Sequence, residues 1–200
     1  MNFIQKILNI FSKNKAEQPK ESKYFPDKQI PVDELFMENF KANGGKFLYC
    51  ETIDELKDTF ESILQENDWF EREALTFEKL LCPMLRENNL EYLEPKNPVF
   101  ILSTCEGLVA EDGSVLFSSK QLLQFKSNQL PKNMIVIGRT SQILRTKSEG
   151  LSNIKYKYEG EIPTNITTLK NFNESVQQTD DFLQYGLCAK NLYLLLLEDL

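Results

Sequence analysis

The stretch Leu108-Val-Ala-Glu-Asp-Gly-Ser-Val-Leu-Phe117, with Leu130-Pro-Lys-Asn-Met-Ile-Val-Ile-Gly-Arg-Thr-Ser-Gln-Ile143 downstream of it, decides the fold. In the first segment two apolar runs flank an acidic turn, Glu111-Asp112-Gly113-Ser114. Gly113 permits a tight reversal, and Ser114 offers a hydroxyl and a backbone N–H where the next strand begins. In the second segment a Leu130-Pro131 turn leads into an apolar strand over 133–138. A helix is predicted after it, over 140–147.

The same alternation continues outward. Residues 33–43 read as a helix with Leu35, Phe36 and Phe40 on one side, stopped by Gly44-Gly45. A strand over 46–50 follows. Thr52-Ile-Asp-Glu55 then has the form of a capping box, in which the threonine oxygen accepts a backbone N–H and the glutamate reaches back. Leu56, Phe60, Ile63 and Leu64 carry the face of that helix. A short strand over 72–77 precedes a helix over 78–88, where Pro83 sets either a kink or a later start. Further strands are predicted over 98–102, 114–118 and 192–197. Strands alternating with helices imply an α/β domain of three layers around a mainly parallel central sheet.

Composition limits the function. Two hundred residues suit one domain, since domains commonly hold about 100–200. A net charge of −7 argues against nucleic acid as a partner, because the phosphate backbone rewards a basic footprint. No apolar run approaches the roughly 18–20 residues of a membrane-spanning helix. The chain has no histidine, which removes the commonest general base and metal ligand together. Cys50, Cys82, Cys105 and Cys188 are scattered, with no CxxC spacing. No metal site and no iron–sulfur cluster held by this chain is expected. Free thiols in a reducing cytoplasm are the expected state.

Residues 1–13 form a predicted amphipathic extension, with Phe3, Ile4, Ile7, Leu8 and Phe11 at helical spacing and Lys6, Lys13 and Lys15 adding positive charge. Such a helix either packs on its own domain or docks on a partner, and peripheral membrane contact through residues 1–15 is one form of docking. Residues 14–32 are polar, contain Pro19, Pro26 and Pro31, and read as a linker. The domain proper is expected over 33–200.

The turn Ala110-Glu111-Asp112-Gly113-Ser114, followed by Leu130-Pro131 and the apolar strand, resembles the LUD-domain family, the LutC/YkgG-like lactate-utilisation proteins. That resemblance implies a NagB/RpiA/CoA-transferase-like fold. It also implies an accessory subunit of an L-lactate utilisation system, with iron–sulfur clusters residing in separate partner proteins. Family members typically end with a Gly-Pro-Ser-Arg-Thr-like loop, an Asp-Ile pair and a Gly-x-His-Gly-Pro turn. This chain departs there: Ile166-Thr-Thr-Leu-Lys-Asn171 stands near the first and Thr179-Asp180-Asp181 near the second. In Gly186-Leu-Cys-Ala-Lys190, Cys188 takes the place of the histidine.

Several residues could carry chemistry. Ligands in open α/β sheets collect beyond the carboxyl ends of strands. Ser103 and Thr104 follow one predicted strand, and Gly138-Arg139-Thr140-Ser141 follow another. Arg139, Thr140 and Ser141 would bring a cation, two hydroxyls and a helix start to a small anionic ligand, a phosphate or carboxylate; alternatively Thr140 or Ser141 simply caps the helix. Gly113 and Ser114 would shape the same ligand site. Within the wider fold group, class I CoA-transferases use a glutamate beside a glycine-containing turn as nucleophile, and Glu111-Asp112-Gly113 looks like that arrangement. Glu111 is therefore the candidate catalytic residue of an acyl-transfer enzyme. The alternative is an acidic turn in which Asp112 bonds nearby backbone N–H groups, in a non-catalytic binding module.

Overall fold

The computed structural model describes residues 30–125, 129–159, 161–172 and 190–199. The amphipathic extension over 1–13 and most of the linker lie outside the described residues. So do Thr179 to Asp181 and the turn at Gly186 to Ala189.

Helix α1 (Val32–Ala42) ends at Gly44, whose φ of 87° closes the stop that the Gly44-Gly45 pair promised. Strand β1 (Lys46–Cys50) follows directly. Helix α2 (Ile53–Asn67) is capped as its sequence specifies: Glu55 N donates to Thr52 Oγ1 at 3.1 Å. The Glu55 carboxylate reaches back one residue further, accepting from Glu51 N at 2.8 Å. After β2 (Ala74–Leu75), the Pro83 segment resolves as a later start: a 3₁₀ turn at Lys79–Leu81 leads into α3 (Cys82–Glu87). Pro83 thus sits in the first turn, where its missing N–H costs nothing. The remaining elements are β3 (Phe100–Thr104), β4 (Gly107–Val109), β5 (Ser114–Phe117), α4 (Ser119–Leu122), β6 (Asn133–Arg139), β7 (Ile143–Leu144), α5 (Lys147–Lys157), β8 (Thr167–Leu169) and β9 (Asn191–Leu197).

Five strands form a wholly parallel sheet in the order β1-β9-β6-β3-β2. A second sheet, β7-β4-β5-β8, is mixed. The strand over 114–117 belongs to this second sheet and leaves the parallel one. The parallel strands are apolar on both faces, as strands covered on both sides must be. Ile101, Met134, Val136, Leu192, Leu194 and Leu196 face one core, which they share with Phe36 and Phe40 of α1 and with Leu108, Val115 and Phe117 of the second sheet. The alternate residues Phe100, Leu102, Ile135, Tyr193 and Leu195 face the other, packed on Phe60, Ile63 and Leu64 of α2 and Leu85 of α3. The architecture is three-layer α/β with a parallel central sheet. One outer layer is partly a small sheet, where the alternation of elements alone suggests helices.

Each large apolar side chain fully buried in these cores contributes about 1.5–3 kcal/mol. Exposed pairs such as Lys57–Glu87 add little, because water screens them. The two apolar faces therefore hold the layers together. A polar clasp adds register: the buried Lys190 ammonium donates to the carbonyls of Leu130 (2.9 Å) and Pro131 (2.8 Å), tying the turn before β6 to the start of β9.

Candidate functional site

The carboxyl ends of β3, β6 and β9 adjoin one another, and the hydroxyl-bearing residues singled out from the sequence lie there. At the end of β3, Thr104 donates its N–H and its hydroxyl to the two oxygens of Glu78, each at 2.6 Å. Ser103 Oγ lies 3.1 Å from Glu78 Oε1 and 2.9 Å from the Thr104 carbonyl oxygen. Glu78 precedes the 3₁₀ turn before α3, so this carboxylate fastens that turn to the central sheet. Cys105 follows, fully buried, with burial pushing its thiol pKa well above the ordinary value. Gln142 bridges from here to the next strand end. It donates to the Cys105 carbonyl at 2.7 Å and accepts from Arg139 N at 2.9 Å.

The expected helix over 140–147 is not formed. A single 3₁₀ turn, Thr140–Gln142, is followed by β7, whose Ile143 and Leu144 pair with Leu108 and Val109. The α-helix starts after Thr146, which accepts from Glu149 N (3.3 Å), while Glu149 reaches back to Arg145 N (2.9 Å). This second capping box outcompetes the Thr140-Ser141 start, because Ile143 and Leu144 gain sheet partners only if the helix is delayed.

Arg139, Thr140 and Ser141 nevertheless converge on an anion, and it is the chain's own Asp199. Ser141 donates its N–H to Oδ1 (2.9 Å) and its hydroxyl to Oδ2 (2.7 Å). Thr140 Oγ1 donates to Oδ1 at 2.9 Å, and the Arg139 guanidinium stands 3.6 Å from Oδ2. The Ser141 N–H and hydroxyl, followed by Thr140 and Arg139, bring the Asp199 pKa down to about 2. The arrangement is a carboxylate cradle.

The hairpin turn stands apart from both strand ends. Gly113 adopts φ 67°, and a Cβ there would lie 2.4 Å from the backbone of Asn39 and Phe40, so α1 seats on the turn. Asn39 and Asn43 donate to the carbonyls of Ala110 and Asp112, both at 2.7 Å. Ser114 is fully buried and gives its hydroxyl (2.6 Å) and N–H (3.2 Å) to Asp112 Oδ1, so it presents neither to a ligand. Burial works to raise the Asp112 pKa, but the Lys147 ammonium, 2.7 Å from Oδ2, and Ser114 together hold it below the usual carboxylate range. Glu111 is exposed, and its Oε1 accepts from Lys147 N, the first residue of α5, at 2.9 Å. Among the described residues no hydrogen bond joins Glu111 to either strand-end cluster.

One constellation was not anticipated. The Glu106 side chain is fully buried and saturated with donors. Oε1 accepts from Ser118 Oγ (2.8 Å), Gln121 Nε2 (3.0 Å) and Tyr158 OH (2.9 Å), and Oε2 from Lys157 Nζ (2.8 Å). Burial alone would raise its pKa; Lys157, Ser118, Gln121 and Tyr158 outweigh it and hold the carboxyl below the usual range. The available signal was the one charged residue in the largely apolar run 100–110, since a carboxylate is buried only when paired. Glu78 and Asp199 carry no comparable local mark. Among the described residues, no group of His, Cys, Asp or Glu side chains is placed to hold a metal ion.

No protein-family model matches the chain. No curated protein matches it either. Among solved structures, it is similar to the crystal structure of a DUF162 family protein from Deinococcus radiodurans, with a TM-score of 0.58 and 16% identity over 86% of this chain and 100% of that one. That family is the one known as LUD-domain. At such identity the likeness shows the fold alone.

Proposed function

We propose that this chain is a LutC-like accessory subunit of a cytoplasmic L-lactate utilisation system. It would act beside separate iron–sulfur proteins that carry electrons as lactate becomes pyruvate. Two likenesses support the reading: the motif order from Val99 to Ile143, and the fold shared with a DUF162 family protein. The observation that carries it against the acyl-transfer alternative is the engagement of Glu111. Its carboxylate caps the first N–H of α5 and, among the described residues, bonds to neither strand-end cluster of hydroxyls, whereas a carboxylate nucleophile must be free to face its acyl donor. The hydroxyls of Ser103, Thr104, Thr140 and Ser141 are likewise engaged with Glu78 and Asp199. This is the construction of a scaffold with a carboxylate-recognising edge.

Affinity purification of the chain from cells grown on L-lactate should recover iron–sulfur proteins, and a deletion strain should grow poorly on lactate. A Glu111→Gln chain should restore that growth fully. Recovery of no iron–sulfur protein together with unimpaired growth of the deletion strain would sink the proposal. Failure of well-folded Glu111→Gln to complement would return the argument to nucleophilic catalysis.

A further inference from the structure

We infer that the open edge of β1 pairs with the same edge of a second copy of this chain, in antiparallel register about Leu48. The inference stands on four observations and is independent of the lactate reading.

The first is the direction of the backbone. Among the described residues β1 is an outer strand of the parallel sheet, bonded to β9 alone. Glu198 N donates to the Cys50 carbonyl at 2.9 Å, so Cys50 turns its backbone toward β9. Because parallel ladders alternate, Leu48 and Lys46 do the same, and Phe47 and Tyr49 turn their N–H and C=O groups outward. An edge five residues long with two outward-facing residues is a template for strand addition.

The second is register. A two-fold axis through Leu48 brings Phe47 opposite Tyr49 of the other copy, and Tyr49 opposite Phe47. Both are then narrow pairs that exchange two hydrogen bonds each, using all four outward groups at each pair of sites. A one-residue slip would set outward groups against groups already bonded to β9.

The third is the side chains. Tyr49 is 44% exposed, Ile53 at the start of α2 is 63% exposed, and Phe47 and Leu48 are half-buried. The two-fold arrangement places aromatic beside aromatic on one face and leucine beside leucine on the other, cross-strand pairs that favour association.

The fourth is charge. The amino end of β1 carries Lys46, with Lys41 standing over the Phe47 ring at 5.5 Å. The carboxyl end carries Glu51, Asp54, Glu55 and Glu198. Antiparallel pairing lays the basic end of one copy against the acidic end of the other; parallel pairing would set like against like. The interface is self-complementary and closes after two copies, joining two five-stranded sheets into one of ten.

Sedimentation of the full chain should give twice the 23.3 kDa mass. Tyr49→Pro removes one outward N–H and no backbone bond to β9, a position where an edge strand tolerates proline; it also removes the exposed bond from the Tyr49 hydroxyl to Glu198. That variant should sediment at the single-chain mass and stay folded, with an unfolding midpoint that no longer depends on chain concentration. Amide exchange supplies a readout that needs no variant. The Phe47 and Tyr49 amides of the wild-type chain should be protected, and should lose protection on dilution. A wild-type monomer whose Phe47 and Tyr49 amides exchange freely would overturn the inference. So would a monomer with both amides protected at every dilution, which would mean that the edge is covered by its own chain. A folded Tyr49→Pro chain that stays dimeric would overturn it as well.

Discussion

Gly113 shows how little freedom a single position in this chain has. Its φ of 67° disfavours any side chain, and the α1 backbone occupies the space a Cβ would need. Gly113→Ala therefore combines a left-handed backbone penalty of about 1–2 kcal/mol with an overpacking cost of about 1–3 kcal/mol. A loss of about 3 kcal/mol in denaturant unfolding is expected. A loss below 1 kcal/mol would show that α1 can lift from the turn. Glu106 makes a pH prediction. Its folded pKa is depressed, so its contribution is present above the unfolded carboxyl value of about 4.3 and is lost as pH falls through the folded value. Glu106→Gln should cost about 2–3 kcal/mol at neutral pH, the range for breaking charge-assisted bonds to a buried group. It should also flatten the acid side of the stability–pH curve. An unchanged acid limb would assign acid unfolding to other carboxylates. The three cysteines among the described residues differ by burial: Cys50 and Cys105 are buried and Cys82 is half-buried. Partial alkylation followed by peptide mapping should label Cys82 well before the other two; early labelling of Cys105 would contradict its burial.

At the scale of elements, what could be read in advance was what neighbours in sequence decide. The Thr52 cap and the Gly44 stop rest on contacts within a few residues, and the 133–139 strand is marked by its own apolar run; each formed close to its expected place. The helix start after β6 failed because two local signals competed. Thr140-Ser141 and Thr146-x-x-Glu149 both encode a start, and only pairing of Ile143 with Leu108 selects the second. The site was legible in half. Arg139, Thr140 and Ser141 read as anion donors and do hold an anion, but that it is Asp199, 58 residues beyond Ser141, depends on tertiary contact alone. Glu111 was read by analogy with a turn, and its engagement with α5 became visible only once α5 was placed.

At the scale of the whole molecule, the two apolar faces of the parallel sheet account for the layered fold, and the resemblance to a DUF162 family protein shows that the layering persists at 16% identity. The topology has a further consequence, for the order in which the fold can be completed. Among the described residues β1 is bonded to β9 alone, and Lys46 meets Tyr193 across 147 residues. Closing a loop of that length costs about 4–5 kcal/mol of chain entropy, and it is closed by a strand that leaves the ribosome long after β1 has emerged. During synthesis β6 waits with one apolar edge unpaired and β1 with none of its ladder. Between completion of β6 and emergence of β9 the nascent chain holds a half-sheet, and commitment to the native state is deferred until Asn191–Leu197 slides between two strands made long before it. High contact order of this kind slows folding and prolongs the time for which strand edges stand unpaired.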